Sequence, residues 1–380
     1  MMRLQADWMT HPGTVAVFDA LCDHNAWFVG GCVRDGLLGK QVDDIDITTD
    51  ATPETVLNCA EAARLRAVPT GIDHGTVTVI AHDKPHEITT LRRDVETDGR
   101  HATVAFSTDI AEDAARRDFT INALYATRSG EVLDPNGEGL HDLQNRRVRF
   151  IGDAARRIEE DYLRILRFFR FHAHYADPAE GLDPDGLAAC AANVEGLHRI
   201  ARERVTAELL KLLSAPDPAP AVAAMEQSGV LSAILPGATS RLLTILTAVE
   251  GGLPHDAIRR LATLGGEDPA NHLRLSRAEI TRLTLYRDEM VSTKSPGELG
   301  YRFGLEPARD MLALRAALQE RTVTAADDAE VERGAAADFP VEAADLMPGL
   351  EGPALGQRLR ELEKRWIDSG FDLTKEALLG

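Results

Sequence analysis

Asp44 and Asp46 stand at i and i+2 in the run Asp44-Ile45-Asp46-Ile47, which follows Gly30-Gly31 and Arg34. The alternation reads as a strand. Residues i and i+2 of a strand share a face, so two carboxylates aim at one spot while Ile45 and Ile47 anchor a core. Adjacent anionic oxygens on a rigid element repel each other unless a cation sits between them. Mg²⁺, held by one or two carboxylates plus substrate phosphates, meets that demand. The glycine pair lets a backbone come close to such phosphates, and Arg34 neutralises them. A lone Gly-Gly is usually a turn and a lone Asp-x-Asp a solvated strand face. Together, with the helix-forming segment 33–38 between them, they favour metal-dependent nucleotidyl transfer.

Two arginine clusters complete the set. In Arg116-Arg117-Asp118-Phe119-Thr120-Ile121-Asn122, a solvated helix end is the common outcome, but guanidinium forks also match triphosphate oxygens. The stretch from Glu160 to Phe171 reads as one largely buried helix in which Asp161, Arg164, Arg167 and Arg170 recur every third position. Each such step drifts back roughly 60° around the helix. Asp161 and Arg164 therefore share a target that Arg167 can join, whereas Arg170 meets phosphate or another helix. A carboxylate only accepts hydrogen bonds and a guanidinium only donates. Such a pair suits cytosine and adenine, each with an amino donor beside a ring-nitrogen acceptor, and rejects uracil and guanine. The competing reading, an exposed i, i+3 ion pair, is worth only about 0.2–0.5 kcal/mol.

The elements that position these residues are helices over 14–25 and 53–66 and strands over 26–29, 45–48, 76–80 and 87–91. Thr52 suits the N-cap of the second helix and Pro53 its first position. Asp134-Pro135-Asn136-Gly137 closes the module in a turn. Beyond about Arg149 strand signals vanish. The rest is helical, with breaks at Pro216 to Pro218, Pro236-Gly237 and Pro296-Gly297. The acidic stretch 325–338 reads as a solvated linker or exposed helix. Leu355, Leu359, Leu362 and Trp366 form a packing stripe on a final helix. The fold class is α+β.

At 380 residues the chain exceeds one compact core. No run of about 18 apolar residues is present to span a membrane, and the N-terminus lacks a signal-peptide layout. Cys22, Cys32, Cys59 and Cys190 show no CxxC spacing, which argues against zinc and disulfides and for a cytoplasmic protein. A net charge of −19 cuts against nucleic acid as partner and by itself favours a small-molecule enzyme. RNA would have to meet a local arginine-rich patch, weakly and with strong salt sensitivity. No obligate protein partner is evident.

GGCVRD, DDIDI, TGIDHGTVTV, RRDFTINALYA and EDYLRILRFFRF resemble successive motifs of the class II tRNA nucleotidyltransferase (CCA-adding enzyme) and bacterial poly(A) polymerase family. The likeness continues through RERVTAELLKLL and, more loosely, to GPALGQRLRELEKRWI. It implies an N-terminal nucleotidyltransferase head with a small mixed sheet and helices (1–148). An all-α neck with the base-recognition helix (149–214), an RNA-binding body (215–324) and a tail (325–380) follow. It also implies that Asp44 and Asp46 bind two Mg²⁺ ions and that Gly31, Arg34 and Arg117 contact the nucleotide. Asp161 and Arg164 then template the base, with Arg167 and Arg170 nearby. The expected activity is template-independent addition of CCA to tRNA 3′ ends from CTP and ATP. The alternative is a bacterial poly(A) polymerase, whose long basic extensions are absent. Residues 91–109 look like the full-length flexible loop of enzymes that add the terminal A. Glu87 is a weaker candidate for a third metal carboxylate, and His255-Asp256 reads as incidental.

Overall fold

The computed structural model describes residues 2–96, 103–347 and 349–380. Its strands are β1 (Ala26–Val29), β2 (Ile45–Thr49), β3 (Arg66–Gly71), β4 (Thr76–Ala81), β5 (Lys84–Thr90), β6 (Arg92–Glu96), β7 (Thr103–Phe106), β8 (Tyr125–Ala126) and β9 (Val132–Leu133). Seven form one mixed sheet in the order β3-β4-β5-β2-β1-β8-β9. β2 and β5 run parallel, which requires a crossover. The helix Pro53–Ala62 and the β3–β4 pair supply it. β6 and β7 form a separate antiparallel ladder. The loop expected over 91–109 is thus partly a hairpin, and its residues 97–102 lie outside the described ones.

One face of the sheet is the core. Ile45 and Ile47 of β2, Val77 and Val79 of β4 and Ile88 of β5 are buried. Helices Pro12–Ala20 and Pro53–Ala62 pack on β4, bringing Val17, Phe18, Val56 and Ala60 into that core. The helix expected over 14–25 ends at Ala20, and the one expected over 53–66 ends at Ala62. The second stops because Arg64 takes φ +58 and the Leu65 amide closes a turn on the Ala60 carbonyl. Arg66, expected at the helix end, instead opens β3.

The chain divides into two compact units: residues 1–212 with 227–234, and residues 213–226 with 235–380. The return of 227–234 to the first unit is something no linear boundary anticipated. Within that unit, the helix Leu163–Tyr175 buries Leu163, Ile165, Leu166, Phe168, Phe169, Phe171 and His172. Phe119 lies between Phe150 (4.9 Å) and Phe171 (5.1 Å), and Phe150 stacks on Phe168 at 5.4 Å. Removing one such ring typically costs about 3–5 kcal/mol. Gly196 is required because a Cβ there would lie 1.9 Å from the Tyr162 ring.

The Glu160–Phe171 stretch is not one helix. The helix Ala154–Glu160 ends, Asp161 is extended at φ −153 and ψ 104, and a new helix begins at Leu163. The Asp161 carboxylate accepts the Leu163 amide at 3.1 Å, a local bond that competes with helical continuation. The every-third-residue spiral therefore applies to Arg164, Arg167 and Arg170 but not to Asp161.

In the second unit the acidic stretch expected to be a solvated linker or exposed helix forms the helix Ala325–Ala335, with a capping box at Thr324 and Asp327. One face is buried: Val331 is wholly enclosed, and a Cβ on Gly334 would lie 1.9 Å from the Gly297 carbonyl. Leu362 and Trp366 of the helix Gly352–Asp368 pack with Val341, Ile367 and Leu378. Deeper in this unit, Arg259 and Arg260 are 1% exposed, and both bond the carboxylate of buried Glu250.

Candidate active site

β2 presents a single half-exposed side chain, Asp46, between buried Ile45 and Ile47. Asp44 is exposed and lies one residue before the strand. In the parallel register Asp46 is level with Glu87, which is exposed between buried His86 and Ile88. Burial pushes the Asp46 carboxyl up to about 6, with Glu87 and Asp44 adding to the rise and Arg117 and Arg34 opposing it. Two further carboxylates and two guanidiniums thus act on the Asp46 carboxyl. Cys32 lies beneath: its thiol contacts the Asp46 carbonyl at 3.5 Å and is pushed up to about 12, chiefly by burial.

Gly30 takes φ +68 where β1 turns into the helix Gly31–Leu37, a conformation that favours glycine. A Cβ there would also sit 3.4 Å from Arg117 Nη1. This turn places Gly31 at the first helical position and Arg34 one turn on, nearly buried at 6% exposure. Arg117 is reached from the other side: Nε donates to Tyr125 Oη at 3.1 Å, and Nη2 donates to Asp113 Oδ2 at 2.9 Å.

The other arginines are also held by acids. Arg167 Nε donates to Asp118 at 2.7 Å, and Arg170 Nε donates to Glu208 on the helix Arg202–Leu213 at 2.5 Å. Glu208 places Arg170 against another helix, one of the two partners offered for it. Arg164 pairs with Glu160 and donates to the Arg157 carbonyl at 2.8 Å. Asp161 receives Arg204 Nη2 at 2.7 Å. Asp161 and Arg164 therefore engage separate charged partners rather than one shared protein group. Asp113, Asp118, Glu160, Arg204 and Glu208 were missed by sequence reasoning. Asp113 carried a signal, standing three and four residues before Arg116 and Arg117.

Burial would raise the Asp113 and Asp118 carboxyls. Arg117 and Arg116 around Asp113, and Arg167 beside Asp118, outweigh it and hold both at about 2. A folded value below the unfolded one stabilises the fold above the ordinary carboxylate range, and that contribution is lost as pH falls toward about 2. Asp118→Asn should therefore lose less stability than the unaltered chain between about pH 5 and about pH 3, read from urea midpoints. Equal losses would contradict the assignment.

Among the described residues no three His, Cys, Asp or Glu side chains gather closely enough to hold a metal by themselves. Glu87 is level with Asp46 but does not complete a three-carboxylate cage. The candidate donors, Asp44 and Asp46, are hard carboxylate oxygens. That fits a divalent cation whose remaining ligands are substrate phosphate and water.

A mixed sheet, a glycine turn opening a short helix, and paired acids flanked by arginines define a nucleotidyltransferase head joined to helices. Residues 26–149 match the poly A polymerase head domain, and residues 181–242 match the probable RNA- and SrmB-binding site of polymerase A. The chain is 32% identical to human mitochondrial CCA tRNA nucleotidyltransferase 1, over 94% of this chain and 86% of that protein. It is 33% identical to the CCA-adding enzyme of Streptococcus gordonii, over 93% of this chain and 92% of that one. The Bacillus stearothermophilus CCA-adding enzyme in complex with CTP superposes with a TM-score of 0.72 at 26% identity, covering 94% and 92% of the two chains. The chain belongs to the CCA-adding tRNA nucleotidyltransferase family. That family implies a divalent metal. No helix among the described residues is long and apolar enough to cross a membrane.

Proposed function

We propose that this chain adds C, C and A to the 3′ end of tRNA from CTP and ATP, with its chemistry at the Asp44–Asp46 face. The observation that carries the reading is Asp46 on β2, level with Glu87 on β5, on a strand packed against the helix that opens at the glycine turn and carries Arg34. Mg²⁺, when bound, supplies Lewis-acid activation of the tRNA 3′-hydroxyl and neutralises the triphosphate and departing pyrophosphate. Asp44 and Asp46 are the residues to hold it.

The remaining work falls to this chain's own groups. Gly31 keeps the backbone low beside the nucleotide, and Arg34 and Arg117 meet its phosphates. Asp161 accepts from the amino group of cytosine or adenine, and Arg164 donates to the neighbouring ring nitrogen. Arg167 and Arg170 support that helix from Asp118 and Glu208. We assign residues 1–148 to the catalytic head, 149–214 to the neck, 215–324 to an RNA-binding body and 325–380 to the tail. A cytoplasmic location belongs to the same proposal.

The test is to incubate the protein with tRNA lacking its 3′ end, Mg²⁺ and each nucleotide singly or together, and sequence the products. CCA ends from the mixture are expected, with CTP alone giving two additions. Chelation should stop the reaction and added Mg²⁺ should restore it. Long A tails would instead identify a poly(A) polymerase, a reading that the names of the full-length relatives do not favour.

A further inference from the structure

The Arg34 guanidinium is engaged on nearly every donor. Nε donates to Asp35 Oδ1 at 3.0 Å, and Nη2 donates to Asp35 Oδ2 at 2.7 Å. Nη2 also donates to Tyr175 Oη at 2.7 Å, and Nη1 donates to Asn122 Oδ1 at 2.5 Å. A guanidinium carries five N–H donors. Among the described residues four are therefore spent, and one N–H, on Nη1, is left. The plane of the group is fixed as well, since Cζ lies 4.0 Å from the Tyr175 ring centroid and 5.2 Å from that of Phe171.

Tyr175 is the last residue of the helix Leu163–Tyr175, the same helix that carries Arg164, Arg167 and Arg170. It is itself braced: its hydroxyl is 3.5 Å from Asp35 Oδ2, and Lys40 Nζ stands 4.2 Å from its ring while donating to the His174 carbonyl at 3.0 Å. Burial raises the phenol, which keeps its proton and so serves as acceptor from Arg34 and donor toward Asp35.

We propose that Tyr175 is a positioning residue for nucleotide binding. By stacking on Arg34 and accepting from Nη2, it leaves the single free Nη1 donor as the one that addresses the triphosphate. It thereby ties the end of the base-reading helix to the glycine turn of the head. This rests on the assignment of Arg34 as a nucleotide contact. Because CTP and ATP share the triphosphate, loss of Tyr175 weakens both alike, whereas damage to base reading changes their ratio.

The test uses the full chain with Tyr175→Phe, Tyr175→Leu, Arg34→Lys and the double variant Arg34→Lys/Tyr175→Phe. KM and kcat are measured for CTP on tRNA lacking its 3′ end and for ATP on tRNA ending in CC. Tyr175→Phe should raise both KM values about fivefold and Tyr175→Leu about twentyfold, with kcat changed less than about twofold. The double variant should be no worse than Arg34→Lys alone, since the phenol then has no fork to orient. The phenylalanine variant keeps ring and volume, so it carries the test if the leucine variant folds poorly. If Arg34→Lys raises KM while both Tyr175 variants do not, or if either shifts the CTP-to-ATP ratio, the positioning role is overturned and the Arg34 assignment stands. If Arg34→Lys has no effect, that assignment fails and takes the Tyr175 role with it.

Discussion

Replacing Asp46 by asparagine is expected to lower nucleotide addition about 10³-fold while leaving the fold at least as stable. A divalent cation beside a reacting phosphoryl group contributes several kcal/mol of transition-state stabilisation, and about 4 kcal/mol corresponds to that factor. Asparagine keeps the size of the side chain but loses the anionic oxygen that the cation needs. The stability half follows from the raised carboxyl, at about 6. An acid whose folded value exceeds its unfolded one stabilises the fold only while protonated, and that contribution fades as pH rises through about 6. Near neutrality the charged Asp46 is therefore a burden on the fold, and asparagine relieves it. Single-turnover rates and thermal midpoints on the same preparations decide the matter. Asp44→Asn is the companion variant: its position is exposed, so any loss of rate cannot come from a disturbed core. Normal turnover in Asp46→Asn would remove the metal-centred reading altogether.

The second large effect lies far from that chemistry. Glu250→Gln is expected to destabilise the second unit by about 3–5 kcal/mol, the usual result of stripping one partner from a buried ion pair. Glu250 is 5% exposed and receives Arg259 at 2.8 Å and Arg260 at 2.7 Å, so glutamine leaves two enclosed guanidiniums facing a neutral amide. Arg259 keeps Asp310 at 2.5 Å, whereas among the described residues Arg260 retains backbone carbonyls alone, those of Leu213, Ala215 and Pro216. The measurement is urea unfolding followed by Trp366 fluorescence, with Trp8 and Trp27 replaced by phenylalanine. A change under about 1 kcal/mol would place the cluster among networks whose desolvation offsets their attraction.

The strand that carries Asp46 was legible because its signal is local. Ile45 and Ile47 alternate with Asp46, and the sheet buries the two isoleucines while leaving Asp46 half-exposed. The glycine turn was readable for the same reason, since Gly30 needs a positive φ that its neighbours do not. The distant partners that hold the arginines were not. Arg34 finds Asn122 across 88 positions, Arg167 finds Asp118 across 49, and Arg170 finds Glu208 across 38. Spacing along the chain carries no trace of such pairings. The break at Asp161 lies between these cases. An Asp two residues ahead of Leu163 is a helix-start signal, but it was masked by the apolar and arginine pattern running through it.

The strand order also bears on how this molecule assembles. β2 must find β5 about 40 residues later, and β1 must find β8 about 97 residues later, so the central strands close only after long loops are tethered. Helices form from near neighbours and gain their first contacts early. By sequence separation these two pairings are expected to form after the more local β1–β2 and β4–β5 pairs of the same sheet. A chain caught midway would hold much of its helix and no catalytic power.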